Sequence, residues 1–215
     1  MATNKTQVYL EVGKKRVFAC AREWPGWCRS GRDEELALAA LAEYAPRYAP
    51  VTREAGLEFS PDGFEVLERL AGSATTDFGA PGSIAPSDYQ ALTATESDRI
   101  SALVAAAWAA LDRIVRGAPT SLAKGPRGGG RDRDAVVEHV LGAETLYARK
   151  IGVRQRQPGA DDAAGIAALR SAILEALRTG QEVARPGDKT WPRRYAARRI
   201  AWHVLDHAWE IEDRS

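Results

Sequence analysis

The spacing of apolar positions changes near residue 90. Upstream, Val8-Tyr9-Leu10-Glu11-Val12 and Arg16 to Ala21 are short runs rich in β-branched and aromatic residues, separated by Gly13-Lys14-Lys15. That pattern predicts a β-hairpin. Trp24-Pro25-Gly26-Trp27 marks a turn. Arg32 to Tyr44 predicts a helix with Asp33, Glu34 and Glu35 in its first turn, where the helix dipole favours acids. Leu57 to Ser60 and Phe64 to Leu67 flank Pro61-Asp62-Gly63, a turn in which Pro presets φ and Gly accepts a positive one. Gly72 to Ser87 is rich in Gly, Ala, Pro, Ser and Thr, which predicts a linker or a long surface loop.

Downstream the period becomes helical. Ile100, Leu103, Val104, Ala107, Leu111, Ile114 and Val115 predict a first helix over about 97–116, stopped by Gly117 and Pro119. A second is expected over about 134–151 with Gly152 as its stop, a third over 161–179 and a fourth over 192–214, with Pro192 suited to a first turn. Four amphipathic helices with no strand pattern between them read as a helix bundle. The expected fold class is α+β: a small N-terminal α/β module with its linker over 1–90, then a four-helix bundle over 91–215.

Charge and composition narrow the function. Thirty Lys and Arg against 29 Asp and Glu give a net charge of +1, which argues against a nucleic-acid binder that works through bulk charge. The longest apolar run, Ala102 to Leu111, has ten residues, against the ~20 that span a bilayer. Residues 1–7 are polar, so no secretory segment is expected there. Two cysteines make no disulfide framework, and a reduced, cytoplasmic setting is expected. Cys20 and Cys28 read better as small apolar residues on paired strands than as a thiol nucleophile or redox pair, because no histidine neighbours them. The expected partner is therefore a small-molecule substrate, with neither nucleic acid nor membrane.

The chemistry concentrates in three histidines. His139 lies on the second predicted helix, and His203 and His207 on the fourth. The i, i+4 spacing of the last two puts them on one face, and the stripe Ala196, Ile200, His203, His207, Ile211 turns that face inward. Randomly scattered histidines would give such a pair roughly 3% of the time. Three imidazoles from two helices suit a divalent metal, Zn, Ni or Fe, with an open coordination position. A second stripe of Tyr195, Trp202 and Trp209 points elsewhere and is expected to cover the N-terminal module or a partner subunit. Of the nearby carboxylates Glu138, Glu144, Asp206 and Glu210, helical spacing favours Glu210 as the catalytic candidate, either orienting a histidine or serving as general base. Lys124, Arg127, Arg131 and Arg133 surround Gly128-Gly129-Gly130 but lack a P-loop ending. This segment is either a plain connection or a lid attracting an anionic substrate or thiol cofactor. Arg193-Arg194 and Arg198-Arg199 read as a solvated face.

His139 within Ala135 to Glu144, and Trp202 to Ile211 with its H-x-x-x-H, resemble the second and fourth helices of DinB-like (damage-inducible) bundles. The resemblance covers residues 95–214. It implies an up-down-down-up four-helix bundle, a metal site on His139, His203 and His207, and commonly a homodimer. Related families include bacillithiol and mycothiol S-transferases and mycothiol-dependent maleylpyruvate isomerases. The implied activity is therefore metal-dependent thiol S-transfer or isomerisation, with a low-molecular-weight thiol as a further cofactor. Metal-dependent hydrolysis and a non-enzymatic metal-binding or interaction module are the alternatives. Residues 8–48, with Val17 to Ala37 at their centre, are similar to the strand, Pro-Gly turn, strand and helix of HicB-like antitoxin domains, which implies a module used for contacts.

Overall fold

The computed structural model describes residues 5–125, 130–180 and 184–215; Arg127, Gly128 and Gly129 of the glycine-rich loop lie outside them. The protein is mixed α and β, with an N-terminal four-stranded sheet followed by helices. Strands β1 (Thr6–Val12) and β2 (Val17–Ala21) form the expected antiparallel hairpin, with Tyr9 opposite Cys20. Strand β3 (Cys28–Gly31) follows the Trp24-Pro25-Gly26-Trp27 turn and pairs antiparallel with β2. Strand β4 (Phe64–Ala71) returns parallel to β1, giving the order β3-β2-β1-β4.

Two helices make that return. Helix α1 (Glu34–Glu43) starts where Asp33 accepts a hydrogen bond from the Leu36 N–H at 2.8 Å. Helix α2 (Ala45–Glu54) lies beyond the expected helix, and its prolines hide it from a propensity reading. Pro46 falls in the first turn, where a missing N–H costs nothing, although Pro50 is inside. Leu57 to Ser60 forms no strand; Phe59 packs 4.9 Å from the Trp24 and Trp27 rings. Tyr48 of α2 stacks on Trp27 and donates its hydroxyl to the Pro25 carbonyl at 2.7 Å.

Residues 72–87 are more than a linker. They carry the short helix α3 (Ala74–Phe78), capped by Ser73, and a 3-10 turn at Pro86–Tyr89. The segment is anchored to β1 through the fully buried Glu11 carboxylate. Thr76 Oγ1 donates to Glu11, as do the Gly82 and Ser83 N–H groups at 3.0 and 2.9 Å.

The four long helices are α4 (Ala94–Gly117), α5 (Arg133–Lys150), α6 (Ala163–Thr179) and α7 (Arg193–Asp213). Helix α4 packs on α7 and α6, and α5 packs on α7 and α6. Helix α7 is the central one, buried nearly all round. Its Trp202 meets Phe18 edge-to-face at 6.1 Å, and Trp209 meets Tyr44 of the N-terminal part at 5.3 Å. The second aromatic stripe therefore covers the sheet side of the same chain.

The arginines expected to be solvated are mostly inside. Arg193, Arg194 and Arg198 are buried, because the end of α6, α4 and the 3-10 turn close around the start of α7 and supply Leu177, Glu96 and Asp88 as their acceptors. Arg198 forms a two-pronged pair with the fully buried Asp88, with Nη2 at 2.6 Å from Oδ2. Arg194 donates to Glu96 at 2.8 Å. The sheet is buried on two faces: Val8, Leu10, Val17 and Ala19 join the main core, while Tyr9, Phe18, Cys20 and Cys28 pack on Trp202. Cys20 and Cys28 do sit on paired strands, as direct partners with Cα atoms 4.2 Å apart, and their sulfurs are joined as a disulfide. That bond departs from the expectation of two apolar thiols.

Candidate metal centre

Two helices bring the three histidines together. His139 comes from the middle of α5, and His203 and His207 from successive turns of α7. The ring centroids are 5.1 Å apart for His139–His203, 4.9 Å for His139–His207 and 4.6 Å for His203–His207. One ring nitrogen from each lies within 4.8 Å of the others. A single ion with bonds of about 2.0–2.1 Å reaches all three after small ring rotations.

Three further observations test whether a metal fits. The first is the buried His203 Nδ1, which has no hydrogen-bond partner; such a group is costly unless something satisfies it. Next, His207 Nδ1 lies 2.8 Å from Glu210 Oε2, so a carboxylate fixes the ring and leaves Nε2 to face the other histidines. The third concerns charge. Burial first, then the neighbouring His207, Arg199 and His139 charges, pushes His203 down to about 2. Burial, then His207 and Arg131, lowers His139 against the opposing pull of Glu210. Both imidazoles are thus neutral at physiological pH, the form that ligates.

Each carboxylate finds a distinct place. Glu210 shares its second oxygen with Arg214 at 2.7 Å, and its hydrogen bond to His207 holds its pKa low. It is an orienting carboxylate with both oxygens engaged, not a free base. Asp206 pairs with Arg29 of β3 at 3.0 Å. Glu138 is exposed. Glu144 belongs to the other side of α5: five residues from His139 is about 140° around the helix. There it accepts from Trp108 Nε1 at 2.6 Å and lies 3.7 Å from Arg170.

The histidines lie along an open cavity of about 830 Å3, within the range of small-molecule sites. Its far wall is Thr75, Phe78, Gly79 and Ala80, from the segment that composition alone marks as linker. Sequence reasoning also missed Arg199, one turn before His203, and Tyr147, whose ring is 5.7 Å from that of His203. The i−4 spacing of Arg199 from His203 was the available signal. Among the described residues the ligand cluster comprises these three histidines alone, so an ion held there keeps positions open toward the cavity. Comparison with known proteins places the chain beside none of them: no family model, no curated protein and no solved structure matches it.

Proposed function

We propose that this chain is a divalent-metal enzyme of the DinB-like kind, an up-down-down-up four-helix bundle preceded by a contact module. Its activity is thiol S-transfer or isomerisation on a small molecule. The observation that carries the reading is the convergence of His139, His203 and His207 on an open cavity of about 830 Å3. A sealed structural site would use four protein ligands. The packing of α4 on α7 and α6, and of α5 on the same two helices, supports the bundle. When bound, the ion supplies Lewis acidity, which makes a thiol or water nucleophilic at neutral pH.

The protein's own part is positioning. Glu210 fixes the tautomer and angle of His207, and burial keeps His203 unprotonated. Trp202 lines the same cavity, its ring 6.2 Å from that of His203.

The test is elemental analysis of untagged protein beside His203→Ala, followed by thiol-dependent turnover assays. About one equivalent of metal in the parent and almost none in the variant is expected, with turnover that needs both thiol and metal. Metal with turnover of esters or amides but no thiol dependence would select hydrolysis. A metal-free parent after incubation with Zn, Ni and Fe salts overturns the reading.

A further inference from the structure

The charges around the cavity do not balance. Arg131, Arg149 and Arg199 line it, and Asp206 is the one acidic residue among the described lining. Asp206 is already neutralised by Arg29 at 3.0 Å. Glu210, just behind the histidines, is shared between His207 and Arg214. Among the described lining residues no unpaired carboxylate is left to answer the three arginines, and the proposed metal would add further positive charge.

Arg199 is the best-positioned of them. Its guanidinium lies 4.9 Å from the Trp202 ring and 5.5 Å from the Tyr147 ring. Nη1 donates to the Pro81 carbonyl at 2.6 Å, which ties it to the cavity wall. No carboxylate pairs with it among the described residues, and one carbonyl uses one of five donors. A half-buried cation held rigidly by two rings and a backbone oxygen, one helical turn from His203, is a prepared anion receptor. Arg131 lies just before the start of α5 and also lines the cavity, close enough for its charge to act on both His139 and His203. Beside the polar Thr75, Thr145 and Gln157, the cavity has an apolar side made by Phe78, Ala143, Leu146 and Trp202. Phe78 is 91% exposed and Leu146 58% exposed on its rim.

We infer that the ligand of this cavity is an amphiphilic organic anion. Its oxyanion head, carboxylate or phosphate, is received by Arg199 with help from Arg131, and its apolar body lies against Phe78 and Leu146. The inference rests on the metal-centre reading for the ligand's role as substrate, but its binding arm can be measured separately.

The experiment is calorimetric titration of the full chain, metal-loaded and metal-free, with benzoate, phenyl phosphate and neutral benzamide. The anions are expected to bind at least about tenfold tighter than benzamide, the worth of one charge-assisted hydrogen bond. Arg199→Met removes that advantage, Arg199→Lys restores part of it, and neither changes metal content. Arg131→Met, on an exposed side chain, weakens both anions by a smaller factor. The stronger of benzoate and phenyl phosphate identifies the head group. Equal binding of anions and benzamide, no anion binding at millimolar concentration, or parental anion affinity in Arg199→Met overturns the inference even if metal is present. Arg199-dependent anion binding in a chain that takes up no metal sustains it and overturns the metal reading instead.

Discussion

At the scale of single residues, the His207–Glu210–Arg214 ladder shows how one helix orients an imidazole. Steps of three and four residues stack the groups along one face of α7. The carboxylate sits between a ring it orients, whose hydrogen bond holds its pKa low, and an arginine that adds to that effect. Removing it as Glu210→Ala frees the His207 ring to rotate and to change tautomer. Metal affinity is expected to fall about 10–100-fold, read by competition with a chromophoric chelator. Unchanged affinity would mean that the carboxylate serves the fold and not the ligand. Glu144 is the contrasting case. Burial, only partly opposed by Arg170 and the Trp108 hydrogen bond, pushes its pKa up to about 7 from an ordinary 4.5. Between those two values the folded chain holds a proton that the unfolded chain has released. Stability contributed by this group is therefore full below about pH 4.5 and is lost as pH rises to about 7. Glu144→Gln keeps an acceptor for Trp108 without the charge, and Arg170 retains Asp112 at 2.9 Å. The variant should outlast the parent by about 1–3 kcal/mol at about pH 8 and match it near pH 4.5, as thermal melts would show. A pH-independent difference would remove burial of the charge as the cause.

At the scale of elements, the wall of the cavity is held from behind. Glu11 lies at the end of β1 with no exposure, and its two oxygens collect Thr76, Gly82 and Ser83. Tyr195 and Arg199 of α7 donate to Gly82 and Pro81 from the other side. Glu11→Ala leaves buried donors unpaired and should release the segment. The expected sign is faster amide hydrogen exchange over residues 75–83, with metal content unchanged. Parental protection there would show that the α7 contacts suffice alone. This segment also marks where the sequence stopped being legible. The hairpin, α1 and the long helices carry their own periodicity, and H-x-x-x-H with a third histidine pointed to the cluster that converges, because helical geometry fixes which residues share a face. Residues 72–87 carry no period. Their shape comes from one buried carboxylate and a serine cap, which composition cannot distinguish from a solvated loop. The buried arginines of α7 were misread for a related reason: charge alone does not reveal partners such as Asp88, 110 positions away. Gly26 is a similar long-range fit. Its φ is +94°, and a Cβ there would lie 2.6 Å from Leu205 of α7. The sequence signals the turn, but only the fold shows what it fits against.

At the scale of the whole molecule, the sheet and the helices share one core. The main cluster runs from Val8 and Leu10 of β1 through Leu41 and Tyr48 into Leu103, Val104, Ile200 and Leu205. Polar ties cross the same boundary. Arg29 reaches Asp206, Arg47 reaches Glu212 and Asp213, and Asp88 of the connecting segment reaches Arg198. With hydrophobic contacts and charges both spanning the boundary, neither part keeps its buried face covered if the other opens. The chain should therefore unfold as one unit. Side-chain NMR signals of the Trp24–Trp27–Phe59 cluster and far-ultraviolet signals dominated by the helices should give coincident denaturant transitions. Asp88→Ala strands Arg198 in a buried site, which costs about 3–5 kcal/mol, and it should shift both transitions together. Saturating metal adds stability by mass action, about 2.7 kcal/mol at a hundredfold excess over Kd. Although the three histidines lie only on α5 and α7, that gain should move the aromatic signal of the N-terminal part by the same amount. An aromatic transition that stays in place while the helical one moves would mean that the shared core does not couple the two parts, and that the metal centre is supported by the helices alone.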